Sequence, residues 1–258
     1  MANRFDVLTR FDVEVAVAAD GRRLAADVFL PDGDGPAEGW PGVMLIHGGG
    51  WREGDRTQLA GYGHLLARAG YACAAVEYGL LPAVAWPTPL DDVQLAWDWF
   101  RSADNGLGVD ASRIAVQGNS AGGHLALLVA ARAENGAAAV IAVYPPTLLT
   151  MSTEPGSLHL AFLVEDAGER SEADAAALSA SVSPVRQVTA SFPPTQLIHG
   201  SADDLVPLEA VMVMYRALDD AGVAVDLHVH AGQPHAFDAG PLGRVTVAEM
   251  SGFLDRYV

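Results

Sequence analysis

The stretch QGNSAGGHLA, residues 117–126, decides the fold of this chain. It contains the pattern G-x-S-x-G, with Gly118, Ser120 and Gly122 at the fixed positions. The apolar run IAV precedes it and the helix-forming run HLALLVAARAE follows from its last residues. A strand, a sharp turn and a helix in this order expose the serine hydroxyl at the turn, and the small glycines allow strand and helix to approach closely. The stretch therefore predicts a nucleophile elbow with Ser120 as the nucleophile.

A second glycine-rich loop lies upstream, directly after the apolar residues 43–46. Its sequence HGGGW places three glycines between His47 and Trp51. Successive glycines let backbone N–H groups face a ligand, as an acyl-transfer enzyme requires where an oxyanion forms. A phosphate-binding loop of the Walker type would need a lysine, which this chain lacks, and no dinucleotide-binding glycine pattern occurs. The loop is therefore predicted to supply an oxyanion hole.

A serine nucleophile needs a general base, and the base needs a carboxylate to orient it. The C-terminal part of the chain offers both, because Asp203 follows the predicted strand PTQLIH and His235 follows the predicted strand AVDLHVH. The rival acids are Asp204, Asp226 and Asp238, and the rival bases are His199, His228 and His230. Strand alternation places the last two histidines within regular structure, which favours His235 in the loop beyond it.

Four motifs occur in a fixed order: HGGGW (47–51), GNSAGGHLA (118–126), PPTQLIHGSADDLVP (193–207) and PHAF (234–237). Together they resemble the α/β-hydrolases of the hormone-sensitive-lipase-like esterase group, and more closely its small bacterial members, which include carbohydrate-ester and feruloyl-type esterases. The resemblance implies that Ser120 is the nucleophile, Asp203 the acid and His235 the base. It also implies an oxyanion hole made by the N–H groups of Gly49, Gly50 and Ala121, and a structural role for His47 in holding the glycine loop.

Three positions depart from the pattern of that group. Gly79 stands where the family usually has an arginine, so an ion pair that often braces this loop is expected to be missing. Ala236 replaces the usual glycine after the histidine, and Asp204 stands where proline is common. The second carboxylate keeps Asp204 open as a substitute for Asp203.

Strands and helices alternate along most of the chain, which predicts one domain over residues 1–258 with an α/β-hydrolase fold. The expected core is a mostly parallel sheet of about eight strands with helices on both faces. The predicted strands are 11–18, 24–30, 43–47, 71–77, 113–117, 138–144, 194–199 and 224–230, and the predicted helices are 58–69, 90–103, 122–134, 208–221 and 245–257.

One segment, about residues 146–192, breaks this alternation and is predicted to form a small cap with two short helical patches, LHLAFLVED and EADAAALSA. Its candidate pocket residues are Met151, His159, Leu160, Phe162 and Leu163. The substrate-binding candidates are Trp51, Tyr78, Trp86 and Phe162. Packing of the same apolar side chains onto the domain is the alternative for each of them.

Composition narrows the class of protein further. A net charge of −17 argues against nucleic acid and against anionic membrane surfaces. The single cysteine, Cys73, excludes internal disulfides and is expected to be buried in a strand. The first fifteen residues lack the apolar core of a signal peptide, so the expected location is cytoplasmic. Neither a cofactor nor a metal is expected, because no zinc-type ligand spacing accompanies the histidines.

These inferences together predict a serine carboxylic-ester hydrolase that acts on short-chain, water-soluble esters through an acyl-enzyme. The alternatives are a carbohydrate acetyl or feruloyl esterase, an amide or formamide hydrolase of the kynurenine-formamidase type, and a non-catalytic ligand-binding member. The expected partner is a small-molecule ester, with a homodimer left open. Asp91 and Asp92 are interpreted as capping carboxylates of a helix, and His124 as a structural residue.

Overall fold

The computed structural model describes residues 4–132, 134 and 136–258. Its strands are Asp6–Val17 (β1), Arg23–Asp32 (β2), Trp40–Ile46 (β3), Ala72–Val76 (β4), Val109–Asn119 (β5), Ala139–Val143 (β6), Leu148–Thr150 (β7), Ser157–His159 (β8), Thr195–Gly200 (β9) and Val225–His230 (β10). Its α-helices are Ala60–Ala69 (α1), Thr88–Arg101 (α2), Ala121–Ala130 (α3), Glu172–Val182 (α4), Glu209–Asp220 (α5) and Gly243–Tyr257 (α6).

Eight strands form one sheet in the order β1-β2-β4-β3-β5-β6-β9-β10. The pairs β1–β2 and β2–β4 are antiparallel, and every other neighbouring pair is parallel. The α/β-hydrolase fold, with its mostly parallel sheet of eight strands, is thereby confirmed. Parallel strands end at a common edge, which is where ligands bind in open α/β sheets. The loops after β3, β5, β9 and β10 carry HGGGW, Ser120, Asp203 and His235 to this edge.

The side chains of the central strands alternate between two hydrophobic cores, one on each face of the sheet. In β3, Met44 and Ile46 belong to the core that α2, α3 and α5 cover, whereas Val43 and Leu45 belong to the core that α1 and α6 cover. All four side chains have no solvent exposure. Because both faces of the sheet are buried, the central strands are apolar throughout, as the sequences VMLI of β3 and ACAAV of β4 show. Helices on both faces agree with the sequence prediction.

Most predicted elements are found with shifted ends, but two predictions need correction. The patch LHLAFLVED forms no α-helix: its first two residues belong to the strand Ser157–His159, which pairs with Leu148–Thr150, and most of the others lie in the short 3-10 helices Leu160–Phe162 and Glu165–Glu169. A patch of nine residues is too short to be stable as a helix by itself, so strand pairing decides its conformation. The predicted helix 122–134 ends at Ala130, and residue 133 within its predicted range lies outside the described residues.

The loop that contains Gly79 is braced, contrary to expectation. The Asp92 carboxylate, on α2, accepts a hydrogen bond from the Gly79 N–H at 2.8 Å and pairs with the Arg22 guanidinium at 2.8 Å. A Cβ atom at position 79 would lie 2.5 Å from Nη1 of Arg22, so the glycine makes room for an arginine that comes from the β1–β2 turn. Asp92 is 2 % exposed and caps no helix end, so its interpretation as a capping carboxylate was wrong. Asp91 does lie in the first turn of α2.

Two further observations concern the cysteine and the helices. Cys73 is fully buried in β4, as expected, and burial raises the pKa of its thiol. Within the described ranges of the chain, none of the helices combines the length and the apolar character needed to cross a lipid bilayer.

The brace at Gly79 can be tested by stability measurements. Arg22→Met should lower the free energy of unfolding by about 2 kcal/mol, because it leaves the buried Asp92 carboxylate with the Gly79 N–H as its remaining partner. Arg23→Met is the matched control, since Arg23 pairs with Asp12 and Glu14 on the surface, and it should change stability little. Urea unfolding of both variants measures the difference. Equal losses in the two variants would contradict a bracing role for Arg22.

Candidate active site

Ser120 occupies a sharp turn between β5 and α3, with backbone angles φ 53° and ψ −120°. A Cβ atom at Gly118 would lie 2.1 Å from the carbonyl oxygen of Gly122, and one at Gly122 would lie 2.1 Å from that of Ile46. Only glycine fits at either position. The Ser120 N–H donates to the Val143 carbonyl at 2.8 Å, which fixes the turn to the end of β6. The serine is therefore held in a left-handed conformation that costs about 1–3 kcal/mol in other settings.

Ser120, His235 and Asp203 form a continuous hydrogen-bonded chain. The distance from Oγ of Ser120 to Nε2 of His235 is 2.9 Å, and the distance from Nδ1 of His235 to Oδ2 of Asp203 is 2.6 Å. The carboxylate fixes the tautomer by accepting the Nδ1–H, which leaves Nε2 free to accept a proton from the hydroxyl. The structure thus brings together the three side chains that the sequence singled out, from positions 83 and 32 residues apart.

The loop after β9 distinguishes the two adjacent carboxylates. The Asp203 side chain is fully buried, and its Oδ1 accepts the N–H groups of Leu205 at 3.0 Å and Val206 at 2.9 Å. Burial by itself would raise the pKa of Asp203, but the hydrogen bonds from His235 and the Val206 N–H, with the charges of the two neighbouring histidines, bring it below its ordinary value. The Asp204 side chain, by contrast, is exposed to solvent.

The other rival residues have partners outside the hydrogen-bonded chain, except that Nε2 of His199 also lies 3.4 Å from Oδ2 of Asp203. His199 is buried, its Nε2 donates to the Val206 carbonyl at 2.9 Å, and burial lowers its pKa, although Asp203 and Val206 act in the opposite direction. His228 and His230 lie on β10 and face Glu249 of α6, at 3.3 Å and 3.1 Å. Asp226 pairs with Arg256. In the part of the chain that the structure describes, no group of three or more histidine, cysteine or acidic side chains is arranged to hold a metal ion.

The glycine loop lies directly against the elbow. A Cβ atom at Gly48 would lie 3.0 Å from the Asn119 carbonyl oxygen and 3.3 Å from Cβ of Ser120. Gly49 and Gly50 have φ values of 114° and 59°, and the Gly49 carbonyl closes a turn by accepting the N–H groups of residues 52 and 53. The Ala121 N–H is the first of α3, where the helix leaves its N–H groups without intrahelical partners. The glycine loop and the start of α3, which carry the three predicted oxyanion donors, therefore lie next to the serine.

His47 has its predicted place beneath the glycine loop. It is buried, its Nδ1–H donates to the Gly48 carbonyl at 2.7 Å, and its ring stacks on Tyr78 with 4.4 Å between centroids. Burial lowers its pKa, although the Gly48 carbonyl and Asp55 act in the opposite direction. The Tyr78 hydroxyl donates to the His47 carbonyl at 3.1 Å. This arrangement holds the backbone of the loop in position.

A cavity of about 860 Å³ opens at Ser120. Seven segments of the chain line it: Gly48, Gly49, Gly50, Arg52, Glu53, Gln58, Leu59, Tyr62, Asn119, Ser120, Tyr144, Phe162, Leu205, His235, Ala236, Asp238 and Ala239. Ala236 adopts φ 55°, the left-handed conformation for which glycine is favoured at the matching position. Two apolar members of the lining, Phe162 and Leu205, are more than half exposed to solvent.

Three of the four substrate-binding candidates lie outside this cavity. Trp51 and Tyr78 are 2 % and 4 % exposed and pack inside the domain, the tryptophan edge-on to His124. Trp86 lines a separate cleft of about 320 Å³ beside Leu81 and Leu163. These three residues do not line the cavity at Ser120, because packing turns Trp51 and Tyr78 inward and places Trp86 in the other cleft. Phe162 is the candidate that reaches the cavity.

The segment 146–192 contacts the glycine loop and α3, the helix that follows Ser120 and is called the elbow helix below. Arg52, directly after HGGGW, pairs with Glu165 of the segment at 3.1 Å. The buried ring of His124, on α3, donates from Nε2 to the Val182 carbonyl at the end of α4 at 2.7 Å, and burial lowers its pKa to about 4. Leu160 and Leu163 of the segment are buried in the main core. Met151 and His159 are exposed, and neither lines the cavity at Ser120.

Sequence reasoning missed a polar cluster beside the triad. From the sequence, Asp238 was a rival candidate for the triad acid. In the structure its carboxylate instead accepts hydrogen bonds from the hydroxyls of Tyr62 and Tyr144 and from Nδ2 of Asn119. The Tyr144 ring contacts the His235 ring, with 4.5 Å between centroids. The one signal in the sequence is that Tyr144 directly follows a buried strand, where functional side chains of α/β folds lie.

The chain is similar to esterases in sequence and in structure. The BD-FAE family model matches residues 26–218. Esterase LipQ of Mycobacterium tuberculosis is 28 % identical over 257 residues, which cover 93 % of this chain and 61 % of LipQ. This chain spans smaller shares of the next curated relatives. Esterase 2 of Thermogutta terrifontis phosphonylated by sarin is 24 % identical, with a TM-score of 0.82 over 95 % of this chain and 94 % of that chain. Its butyrate-bound form is 25 % identical, with a TM-score of 0.79 over the same shares.

Proposed function

The chain belongs to the BD-FAE family, and from this membership we propose that it is a carboxylesterase that works through Ser120, His235 and Asp203. The observation that carries the proposal is the hydrogen-bonded chain from Oγ of Ser120 through His235 to the buried Asp203 carboxylate. Its position at the common edge of the parallel strands, beside three backbone donors, matches the needs of acyl transfer.

In the proposed reaction, Oγ of Ser120 attacks the ester carbonyl while Nε2 of His235 accepts the hydroxyl proton. The Asp203 carboxylate stabilises the charged imidazole and keeps its tautomer, because its own pKa is below the ordinary value and it stays ionised near neutral pH. The protonated His235 then transfers the proton to the leaving alcohol as the carbonyl–oxygen bond breaks. Water, activated by the same histidine, hydrolyses the acyl-enzyme and releases the acid.

The tetrahedral intermediates carry a negative oxygen in both halves of the reaction. The N–H groups of Gly49, Gly50 and Ala121 would donate to it, and the Ala121 N–H also lies at the positive end of α3. None of the three N–H groups donates to another atom among the described residues. Preorganised donors of this kind contribute about 3–4 kcal/mol each to the stability of the transition state in a serine hydrolase.

The expected substrates are short-chain, water-soluble esters. Two apolar side chains on the wall of the cavity at Ser120, Phe162 and Leu205, are more than half exposed to solvent, so we expect the cavity to bury a short acyl chain and not a long one. The butyrate-bound form of the Thermogutta esterase agrees with an acyl group of this size. Polar side chains on the cavity wall would also accept an alcohol that carries hydroxyl groups, so acetylated sugars belong in the substrate panel. Formylkynurenine belongs there too, because the same residues could cleave a formamide.

The segment 146–192 is proposed to be a small cap within a single domain. It reaches the cavity through Phe162 and is attached to the glycine loop by the Arg52–Glu165 ion pair. The bond from His124 to the Val182 carbonyl attaches its far end to the elbow helix. A cap attached at both ends would shape the acyl site without closing it.

Replacing the nucleophile tests the proposal directly. Ser120→Ala should lower the kcat for p-nitrophenyl butyrate by about a millionfold, the loss seen when a serine hydrolase loses its nucleophile. Ser181→Ala, at an exposed position on α4, is the control and should leave turnover unchanged. Thermal unfolding shows whether each variant is folded. A folded Ser120→Ala variant that retains a few per cent of the wild-type activity would exclude Ser120 as the nucleophile.

The two adjacent carboxylates give a second test. Asp203→Asn should reduce kcat for the same ester by about 10⁴-fold, because an amide in place of the carboxylate stabilises the wrong tautomer of His235. Asp204→Asn removes an exposed charge that is not part of the hydrogen-bonded chain. The turnover of this variant should stay close to that of the wild type. Initial rates at saturating substrate measure both. The reverse order of the two losses would place the acid at Asp204.

The acyl-chain dependence tests the size of the site. Each methylene that the cavity buries should add about 0.8 kcal/mol of binding in the transition state, and carbons beyond its length should add none. We expect kcat/KM for p-nitrophenyl esters to rise from acetate to at most hexanoate. Phe162→Ala should reduce the preference for hexanoate over acetate, whereas Met151→Ala, also exposed but outside the cavity, should not. A kcat/KM that rises through ten acyl carbons would contradict a short-chain site.

A further inference from the structure

Asp238 is a second buried carboxylate next to the triad, and it is 9 % exposed. Three donors converge on it: the Tyr144 hydroxyl on Oδ1, and the Tyr62 hydroxyl and Nδ2 of Asn119 on Oδ2, the last at 2.7 Å. Nδ2 of Asn119 also lies 3.0 Å from the Tyr144 hydroxyl. In the part of the chain that the structure describes, no arginine contacts this carboxylate. Its three partners are neutral donors. A buried carboxylate whose donors are in place is held in one fixed geometry.

These donors come from three different elements of the site. Asn119 is the residue before Ser120, Tyr144 directly follows β6, and Tyr62 lies on α1. Asp238 itself lies in a short 3-10 turn three residues after His235. One side chain therefore connects the segment that carries the nucleophile with the segment that carries the base. This connection is independent of the bonds within the triad, since Asp203 approaches His235 from the loop after β9.

We propose that Asp238 is a positioning residue of the active site, which fixes the His235 imidazole relative to Oγ of Ser120 through Tyr144 and Asn119. The inference rests on the proposed function, because it assigns a role in the same reaction. Tyr144 is the mechanical link: its hydroxyl is bound by Asp238 and its ring lies against the His235 ring at 4.5 Å between centroids. The backbone of Tyr144 is fixed as well, because its N–H donates to the Ile198 carbonyl at 2.7 Å.

The chemistry of the cluster requires a carboxylate and not an amide. Burial raises the pKa of both Tyr62 and Tyr144, and the nearby Asp238 charge raises it further, so both hydroxyls keep their protons and act as donors. A carboxylate accepts all three donors. An asparagine at this position would have an NH2 group in place of one carboxylate oxygen. Its N–H groups would face the donors that now bind that oxygen, and a buried polar group would be left unpaired. The cluster would then rearrange, and the Tyr144 ring would lose its fixed position against His235.

The first experiment measures Asp238→Asn in the full chain. A misplacement of about 1 Å between base and nucleophile can reduce turnover by about a hundredfold, so kcat for p-nitrophenyl butyrate should fall by that order while KM changes little. The rate at which a p-nitrophenyl phosphonate modifies Ser120, followed by intact mass, should fall in parallel because it depends on the same geometry. A folded Asp238→Asn variant with kcat and phosphonylation rate near those of the wild type would overturn the proposal.

A charge exchange between neighbours provides the decisive control. Asn119→Asp alone would place two carboxylates about as close as the present 2.7 Å contact, where both cannot stay ionised without cost. The double variant N119D/D238N restores one carboxylate and one amide to the cluster. We expect it to recover kcat well above the product of the two single losses. A double variant with merely additive losses would show that Asp238 acts through its own packing, and would overturn the proposal.

The tyrosines decide the question if Asp238→Asn does not fold. Tyr144→Phe and Tyr62→Phe each remove one hydroxyl from the same carboxylate and leave a ring of equal size. Of the two tyrosines, Tyr144 is the one whose ring contacts His235. Tyr144→Phe should therefore lose more kcat and more phosphonylation rate than Tyr62→Phe at similar stability. Equal effects would overturn the proposal.

Failure of the proposed function can be distinguished from failure of the proposed role of Asp238. If the wild type hydrolyses none of the esters or amides, carboxylesterase activity is excluded, and the phosphonylation rate still reports how well Ser120 and His235 are positioned. The variants at Asp238, Asn119 and Tyr144 would then be compared by that rate alone. If the wild type hydrolyses esters and these variants match it, the proposed function stands and the role of Asp238 does not.

Discussion

The turn at Ser120 leaves no room for a Cβ atom on either side, and the rest of the site depends on this contact. A Cβ atom at Gly118 would meet the backbone of Gly122, and one at Gly122 would meet the backbone of Ile46, each at 2.1 Å. The end of β3 therefore lies against the start of α3. Because the glycine loop continues from β3, this close backbone contact places the loop beside the serine, where the proposed oxyanion donors would be needed.

Two buried carboxylates lie beside the same imidazole, and their partners separate their roles. Asp203 contacts the ring directly at 2.6 Å, and backbone N–H groups hold its second oxygen. Asp238 instead accepts a hydrogen bond from Tyr144, the tyrosine whose ring packs against the histidine. Both carboxylates are paired with donors, which reduces the cost of burying a charge. In the proposed reaction, such a site would keep the geometry of His235 fixed while the charge on its imidazole changes.

Departures from the usual family pattern are compensated by contacts between distant segments. The arginine missing at Gly79 is replaced in space by Arg22 of the β1–β2 turn, which reaches the same buried Asp92. The segment 146–192 is attached in a similar way, by the Arg52–Glu165 pair and by the bond from His124 to the Val182 carbonyl. A charge pair needs only that its two groups meet in space, so its partners can come from segments that are distant in the chain.

The sequence by itself determined the sheet, the elbow and the glycine loop, because each is a local pattern: apolar runs of strand length, glycines at close contacts, and a serine between a strand and a helix. The tertiary structure alone decided which of the aromatic residues reach the cavity, that residues 157–159 pair as a strand, and that Arg22 braces Gly79. It also decided the partners of Asp238, which lie 119, 94 and 176 residues away. Contacts over such separations leave no periodic signal in the sequence, since they form only when the loops after several strands meet at one edge of the sheet.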